Sequence, residues 1–352
     1  MPTSGALNLI LQAAHQAPSA DNSQPWRLGW FNQTLSVAYD TARVSHKTFP
    51  ADSPATLLTI GAAQENITQA ANAIGHPLTW QVPTSLDPNQ PVYCQALLEQ
   101  ATESTQVSAD ALPLFKRHTN RLPYRAQRLP ETLLNTLKKQ TEASAHVVVI
   151  DQPSTISQVA GLVKQASEIR FQTREIHEWL AKSLRFGKSS GSYDDGLDVN
   201  TLDLPPGGIA FLKLISAWPR MKILNLLGAY KALSFIDSRP VKDAPALVAI
   251  VGPSGFQDIL AAGQLMDRIW IDLNAQGIAV HPYYVIADQL HRRQAGAIPA
   301  GLEKQADAVF TKAREIFQFG EGETLQMLLR VGYPKKTPVL SKRLPLEVVC
   351  SI

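Results

Sequence analysis

Two glycine-bounded segments of equal length, one in each half of the chain, constrain its fold more than any other feature. Gly61–Gly75 reads GAAQENITQAANAIG and Gly263–Gly277 reads GQLMDRIWIDLNAQG, with an isoleucine and an Asn-Ala pair at matching positions. Both segments have helical apolar spacing, and a final glycine suits a helix end. We expect a duplicated unit folded back on itself about a pseudo-two-fold axis, although two amphipathic helices also acquire such a likeness by chance.

The composition is that of a folded protein without a nucleic-acid footprint. The 352 residues are 45% apolar and 18% charged, with a formal net charge of +3, and they can bury a large core. Lys and Arg form only short pairs, so no nucleic-acid partner is expected. Cys94 and Cys350 lie far apart without the spacing of metal ligands, which predicts neither a metal site nor a disulfide framework.

The hydrophobic segments do not predict a membrane protein. The first residues lack the basic region of a secretory signal, so we expect a cytoplasmic location. The most apolar stretch, Gly207–Ile236, is interrupted by several Lys and Arg residues, which argues against a membrane span. A buried helix pair or a cover over a ligand is expected there rather than contact with a membrane.

Periodicity and turn residues predict an alternation of helices and short strands. The expected helices are Leu7–Gln16, Ala55–Ile74, Glu131–Glu142 and the helical stretches of Thr155–Phe186, which bend near Phe171–Arg174. The expected strands are a hairpin turning at Asn32-Gln33, then Trp80–Val82, Val92–Ala101, His146–Asp151, Leu247–Val251 and Gln326–Tyr333. Gly187–Gly208 is expected to form a loop, and the polar residues Thr102–Asp110 are expected to join the two halves.

Ala17–Arg27, which reads APSADNSQPWR, carries the most specific chemistry. Pro18 stops the preceding helix, and the short polar side chains that follow favour a turn and offer hydrogen-bond donors and acceptors. From composition alone, the segment could equally be an ordinary helix terminator followed by turn residues. The order of the residues, however, resembles the A-P-S-x-x-N-x-Q-P-W signature of the FMN-dependent nitroreductase family. The resemblance implies that Ser19, Asn22 and Gln24 bind the polar atoms of FMN.

A second segment, Arg117–Arg121, reads RHTNR. Guanidinium groups suit phosphate oxygens, and a threonine hydroxyl adds a donor. A solvated basic loop would look the same in isolation, but the segment resembles the R-x-S/T-x-R motif that holds the FMN phosphate in nitroreductases. This likeness implies that Arg117, Thr119 and Arg121 contact the phosphate, with His118 as a further ring contact or a merely structural polar residue.

The C-terminal segment GYPKKTPVLSKRLPLEVV resembles the closing G-Y-P…K-x-R-x-P-x-E segment of the same family. There a basic residue returns to the phosphate. Arg343 is the closest match, with Lys342 as the competing choice, and a basic surface loop is the alternative to both.

The order of the motifs is similar to that of the Acg-like branch, in which two nitroreductase-like halves share one chain. Asp195-Gly196-Leu197 and the run YDTARVSHKTFPADSPATLLTIGAAQEN are also similar to segments of that branch. The resemblance implies an α+β fold of mixed β-sheets flanked by helices, with tandem halves forming an intrachain pseudo-dimer. We expect halves at 1–105 and 113–352, with an inserted helical or lid region at about 189–236. The second half has no copy of S-x-x-N-x-Q-P-W, which favours one FMN per chain.

The resemblance also implies a function. The sequence has no nucleophile motif, phosphate-binding P-loop or dinucleotide fingerprint, so no catalytic side chain is assigned. Pro282 and Tyr283 are expected to line the ring pocket. The family implies a ping-pong oxidoreductase in which NAD(P)H reduces FMN, which then reduces a nitroaromatic or quinone-like acceptor. The alternative is an FMN-binding or storage protein whose lid excludes NAD(P)H. The chain is expected to be a monomer or a homodimer.

Overall fold

The computed structural model describes residues 4–44, 49–99, 107–187 and 194–351. The helices are α1 Ser4–His15, α2 Thr41–Val44, α3 Pro54–Ala73, α4 Glu131–Lys138, α5 Pro153–Gln172, α6 Arg174–Ser183, α7 Gly208–Ile215, α8 Trp218–Leu226, α9 Ala229–Lys242, α10 Phe256–Ala275, α11 Val285–Gln294, α12 Glu303–Phe317 and α13 Leu346–Val349. The strands are β1 Trp26–Phe31, β2 Thr34–Tyr39, β3 Leu78–Gln81, β4 Val92–Leu98, β5 Thr141–Glu142, β6 Ala145–Ile150, β7 Leu184–Arg185, β8 Leu197–Asp198, β9 Ala246–Pro253, β10 Ala279–Tyr283, β11 Glu323–Gly332 and β12 Cys350–Ser351.

Two five-stranded sheets organise the described residues. The first has the order β12-β1-β2-β4-β3 and the second the order β5-β6-β9-β11-β10. All neighbours are antiparallel except β12 and β1, where the C-terminal strand runs parallel to β1 and pairs Cys350 with Leu28. Sheets of mixed direction flanked by helices confirm the predicted α+β class.

The two sheets repeat one strand plan. β1, β2, β4 and β3 of the first sheet take the places of β6, β9, β11 and β10 in the second. A long helix precedes each edge strand of this plan, α3 before β3 and α10 before β10. The connections between the strands differ. In the second sheet, α5–α9 join β6 to β9 and α11–α12 join β10 to β11, whereas loops without helices join β1 to β2 and β3 to β4 in the first sheet. The proposed division at 105 and 113 stays a prediction, and residues 100–106 lie outside the described ranges.

The predicted repeat helices α3 and α10 pack directly against each other. A Cβ atom on Gly61 would lie 2.0 Å from the carbonyl oxygen of Leu260, and one on Gly263 would lie 2.3 Å from that of Leu58. Each glycine is thus pressed against the residue three positions before the other. This reciprocal contact is the pattern that a local two-fold axis produces, since each helix then presents the same patch to its partner.

The two sheets are buried to different extents. β9 and β11 are buried along almost their whole length, whereas β2 alternates between buried and half-buried positions. The second sheet has helices on both faces and therefore needs apolar side chains on both, and the first needs them on one. One apolar core joins α1, α3, α10 and faces of both sheets, and a second lies between the second sheet and α5, α11 and α12.

Most predicted elements are confirmed, with shifted ends. The hairpin turns at Asn32 and Gln33, both with positive φ of 47° and 65°, as a tight antiparallel turn requires. The predicted bend near Phe171–Arg174 is the break between α5 and α6 at Thr173. The expected helix Glu131–Glu142 is wrong in its last turn, because α4 ends at Lys138 and the chain enters β5.

The expectation for Gly207–Ile236 is corrected. Instead of a buried helix pair, this stretch forms α7, α8 and most of α9, and many of its apolar side chains are exposed. The loop expected at Gly187–Gly208 contains the short strand β8, and residues 188–193 of the expected lid lie outside the described ranges. Within the described residues, no helix has the length and hydropathy needed to cross a membrane.

Candidate functional site

The loop between α1 and β1, residues 17–25, is here named the A-P-S loop. Asp21, Asn22 and Gln24 all adopt the left-handed backbone region, with φ of 50°, 56° and 50°. Non-glycine residues adopt this region at an energetic cost, although Asp and Asn tolerate it better than most. The Ser19 hydroxyl accepts a hydrogen bond from the Gln24 backbone N–H at 3.0 Å and closes the turn. The loop therefore has a single strained shape that its surroundings must hold.

Arg43 supplies much of that support. Its guanidinium pairs with Asp40 at 3.2 Å and donates to the backbone carbonyls of Ser23 at 3.1 Å and of Gln24. Sequence reasoning assigned no role to this pair, although both residues lie in the quoted YDTARV run. Their i, i+3 spacing at the start of α2 was the available signal, because it places the two side chains on one helical face.

The A-P-S loop is bonded to the C-terminal segment. The Asn22 side-chain amide donates to the carbonyl of Lys342 at 3.1 Å, and the Gln24 side-chain oxygen accepts from the backbone N–H of Leu344 at 2.9 Å. His15 also contacts the Leu344 carbonyl at 2.8 Å, and burial lowers the pKa of its imidazole to about 4. The predicted residues Asn22 and Gln24 thus use their side chains to shape the loop.

Two predicted arginines from distant motifs meet beside this loop and form, with Asp267, what we name the arginine cluster. Arg117 and Arg343 both donate to the backbone carbonyl of Gln16, at 2.7 Å and 3.2 Å, and Arg343 also donates to the Asn22 side-chain oxygen. The carbonyl of Gln16 lies just after the last residue of α1, where backbone acceptors lack helical partners and the helix dipole is negative.

The arginine cluster carries unbalanced positive charge. Arg117 lies 3.3 Å from the carboxylate of Asp267, which is fully buried. Burial raises the pKa of Asp267 to about 7, against the opposing effect of Arg117. Burial and the neighbouring Arg117 lower the pKa of Arg343 to about 9. The Nε atoms of both arginines have no hydrogen-bond partner among the described residues.

A second group, which we name the β10 group, contains Arg121, Asp21, His281 and Tyr283. Burial lowers the pKa of Arg121, and the nearby Asp21 and Tyr283 oppose that shift. Burial also disfavours the charged form of Asp21 and therefore raises the pKa of its carboxyl. Within the described ranges Arg121 makes no hydrogen bond and the buried Nδ1 of His281 has no partner. The His281 and Tyr283 rings lie 4.5 Å apart on one face of β10. Pro282, between them in sequence, is half-buried on the other face.

The remaining predicted residues of RHTNR lie between these two groups. The backbone N–H of His118 donates to Asn274 at 2.8 Å, and its ring Nδ1 lies 2.8 Å from the Lys116 carbonyl. Thr119 forms a parallel bridge with Val280 of β10. The structure therefore uses this segment to connect α10 with β10, and it places Arg117 and Arg121 in different groups. Within the described residues, neither the His118 nor the Thr119 side chain hydrogen bonds to an arginine of either group.

The segment that leads into β8, part of the predicted insertion, contacts the A-P-S loop. The Gly196 N–H donates to the Asn22 carbonyl at 3.2 Å, and the Gln24 side-chain amide donates to the carbonyl of Asp194 at 2.8 Å. Gly196 has a φ of 71°, and a Cβ there would lie 2.6 Å from the carbonyl oxygen of Ser183. Only glycine meets both demands, so the predicted Asp195-Gly196-Leu197 motif specifies how this loop docks.

Comparisons with known proteins were made by sequence and by structure. No family model matches the chain. It is 26% identical over 287 residues, 80% of its length, to the uncharacterized protein MT1398 of Mycobacterium tuberculosis. It is 32% identical over 155 residues, 43% of its length, to the protein named "Putative NAD(P)H nitroreductase acg" of the same organism. The matched regions span 38% and 45% of these relatives, so the chain covers less than half the length of each.

Solved structures with a similar chain path include two nitroreductases. One is the FMN- and NADPH-dependent nitroreductase NfnB from a Sphigopyxis strain, 15% identical, with a TM-score of 0.40 over 70% of this chain and 99% of that one. The other is a nitroreductase with bound FMN from Bacteroides fragilis, 9% identical, with a TM-score of 0.38 over 66% and 92%. The curated matches confirm the predicted resemblance of this chain to the nitroreductase family and, within that family, to its Acg-like branch.

Proposed function

We propose that this chain is an FMN-dependent NAD(P)H oxidoreductase of the nitroreductase type. The observation that carries the proposal is the arginine cluster. The buried guanidinium of Arg117 and the half-buried guanidinium of Arg343 converge on one backbone carbonyl, and among the described residues Asp267 is the only carboxylate paired with either. An uncompensated buried cation is costly, and a bound anion relieves that cost. The curated relative is named a putative NAD(P)H nitroreductase, and the likeness of the three motifs to those of FMN-dependent nitroreductases points to FMN as the anion.

The residues present fit FMN at both of its ends. The Nε of Arg343, which has no hydrogen-bond partner among the described residues, suits a phosphate, because phosphate takes charge-assisted hydrogen bonds. The Nε of Arg117 faces Asp267 at 3.3 Å, so Arg117 adds positive charge beside that donor. The His281 and Tyr283 rings share one face of β10 and offer aromatic surface for a planar ring, and Arg121 offers unbonded donors beside them. The predicted Pro282 projects from the opposite face of the strand, because successive side chains of a strand alternate. A positive charge near the polar edge of a flavin tunes its electronics. We therefore place the phosphate at the arginine cluster and the ring at the β10 group.

This placement predicts different effects for two arginines. Replacing Arg343 by Met should weaken FMN binding by about 30-fold, since it removes charge-assisted hydrogen bonds to the phosphate. Riboflavin lacks the phosphate, so its weaker binding should hardly change. The Arg121→Ala substitution should weaken the binding of FMN and of riboflavin by the same factor, because Arg121 contacts the ring that both ligands share. Fluorescence titration of the apoprotein with FMN and with riboflavin measures all four constants.

The matched control is Arg125→Ala, which removes an exposed arginine four residues from Arg121. It should leave both affinities unchanged. Thermal unfolding of each apoprotein identifies a variant that is merely destabilised. Equal losses of FMN and riboflavin affinity in the Arg343→Met variant would place the phosphate elsewhere and overturn this arrangement.

The proposed activity is hydride transfer from NAD(P)H, followed in a separate step by transfer of two electrons to a nitroaromatic or quinone-like acceptor. When bound, FMN supplies the redox chemistry, and this chain binds, orients and shields it. An anaerobic visible spectrum before and after addition of NADPH or NADH tests this directly. Bleaching of the flavin band at a rate that saturates with NAD(P)H supports the reductase. A band that persists with either nucleotide overturns it.

The alternative function, FMN binding or storage under a cover, is favoured by one observation. Asp194 and Gly196 of the inserted region hydrogen bond to Gln24 and Asn22, so the insertion is docked on the A-P-S loop. A docked cover would exclude nicotinamide from the flavin. The persisting flavin band in the same experiment is the outcome expected of this alternative. The cytoplasmic location and the oligomeric state remain predictions.

A further inference from the structure

Exposed apolar side chains are concentrated in one part of the molecule. Of the thirteen large apolar side chains that are exposed within the described residues, eight lie on α7, α8, α9 and the turns between them. We name them the apolar face: Ile209, Phe211, Leu214, Ile223, Leu226, Leu227, Phe235 and Ile236. Leu226 and Leu227, at the turn from α8 to α9, are 84% and 82% exposed. Single exposed apolar residues are ordinary, but such a concentration marks an interaction surface.

The helices turn their apolar residues outward in a regular pattern. Ile223 and Leu226 of α8 and its C-cap residue Leu227 follow i, i+3, i+4 spacing and are all exposed, and Met221 is the buried residue of this helix. On α9, the small residues Ser234 and Ser238 are buried, whereas Phe235 and Ile236 are exposed. Each helix buries one apolar side chain, Ile215, Met221 or Val241, and exposes more of them. A helix on a water-exposed surface usually turns such side chains inward, so the exposed ones suit an apolar partner.

The charges around the apolar face are mostly positive, although Arg239 pairs with the exposed Asp243 just beyond α9. The segment 207–242 contains six basic residues and one acidic residue. All six basic side chains are exposed: Lys213, Arg220, Lys222, Lys231, Arg239 and Lys242. The acidic residue, Asp237, is already bonded to Ser167 and pairs with Arg170 at 3.1 Å. The segment therefore presents an excess of positive charge beside its exposed apolar groups.

We propose that α7, α8 and α9 bind the surface of an anionic lipid bilayer. Apolar side chains that enter the boundary of headgroups and acyl chains, with Lys and Arg among the headgroups, are the arrangement of an interfacial membrane helix. Basic residues add attraction to anionic lipid. A second copy of the chain is a poorer partner for the apolar face, because the basic residues of the two copies would then lie opposite each other and repel. This proposal departs from the sequence-based expectation of no membrane contact at Gly207–Ile236. The Lys and Arg residues that argue against a membrane span suit helices that lie in the plane of the membrane.

Flotation of the purified full-length protein with lipid vesicles tests the proposal. Vesicles of phosphatidylcholine containing about a third phosphatidylglycerol should carry the protein, and pure phosphatidylcholine vesicles should carry far less. The Leu226→Ser/Leu227→Ser variant should bind the anionic vesicles at least tenfold more weakly, because it removes the two most exposed apolar side chains. The Lys222→Gln/Lys231→Gln variant should lose about tenfold or more, and this loss should shrink at high salt.

The matched control is Phe31→Ser, which removes an apolar side chain of similar exposure, 75%, at the end of β1 in the first sheet. It should bind like the unchanged protein. Far-ultraviolet circular dichroism and thermal unfolding show whether each variant remains folded. Failure of the unchanged protein to float with anionic vesicles overturns the proposal. Sedimentation velocity provides a second such outcome: a dimer that the Leu226→Ser/Leu227→Ser variant abolishes would assign the apolar face to a second copy. Neither outcome bears on FMN binding.

Discussion

Replacing Arg117 by Ala is expected to lower the free energy of unfolding by about 3–5 kcal/mol, because it strands a buried carboxylate. The Arg117 side chain is 4% exposed and that of Asp267 is 0% exposed. Arg117 also donates to the Gln16 carbonyl and lies over the Trp270 ring, with its guanidinium 4.7 Å from the ring centre. The loss therefore combines an ion pair, a hydrogen bond and packing. Urea unfolding of the apoprotein, followed by circular dichroism, measures it.

Two further variants test whether the unpaired Asp267 carboxylate, rather than the loss of any arginine, causes the decrease in stability. The double substitution Arg117→Met/Asp267→Leu removes both charges and should recover most of the stability, since apolar pairs of similar volume often replace buried ion pairs at little cost. Arg174→Ala breaks the exposed pair with Glu178, in which the arginine is 70% exposed. It should cost less than about 1 kcal/mol. If the double variant is as unstable as Arg117→Ala alone, stranding of Asp267 is not the cause.

Replacing Gly61 by Ala is expected to cost more than about 3 kcal/mol, because the added methyl group has no space between α3 and α10. A Cβ atom there would lie 2.0 Å from the backbone oxygen of Leu260 and 2.9 Å from the Cα of Gly263. Both obstacles are backbone atoms, so relief requires the helices to separate. The same substitution at Gly263 should have a similar effect, since its surroundings mirror those of Gly61. The urea midpoint reports both losses.

Gly161 provides the matched control for this prediction. It lies within α5, and a Cβ there would meet no atom within 4 Å. The Gly161→Ala substitution should therefore stabilise the protein by about 0.5–1 kcal/mol through helix propensity alone. If Gly61→Ala proved as harmless as Gly161→Ala, the close contact between α3 and α10 would be wrong.

Local sequence signals predicted many of the elements because those signals act over a few residues. Helical apolar spacing and a final glycine identified α3 and α10, and Gly75 and Gly277 indeed have positive φ, of 75° and 74°. The β-branched run before Asp151 identified β6. The signals failed where tertiary contacts decide, as at α4, whose end is set by the pairing of β5 with β6. They also failed for α7, α8 and α9, where apolar content suggested burial.

The candidate site shows the same division. The motifs identified Asn22, Arg117 and Arg343 as members of one site, and the structure brings these three together. No local signal could reveal Asp267, because its role depends on the packing of α10 against the segment that follows residue 113. Nor could spacing show that Arg117 and Arg121, four residues apart, belong to different groups.

The sequence by itself therefore determined the α+β class, the repeated helices, a polar turn at the A-P-S loop and the resemblance to Acg-like nitroreductases. These follow from periodicity, from backbone preferences and from residue order, which are properties of the chain before it folds. The tertiary structure alone decided that residues 226 positions apart share one carbonyl, that Asp267 is buried beside them, and that three apolar helices face outward. Burial and long-range charge depend on which elements pack together, and no local pattern contains that information.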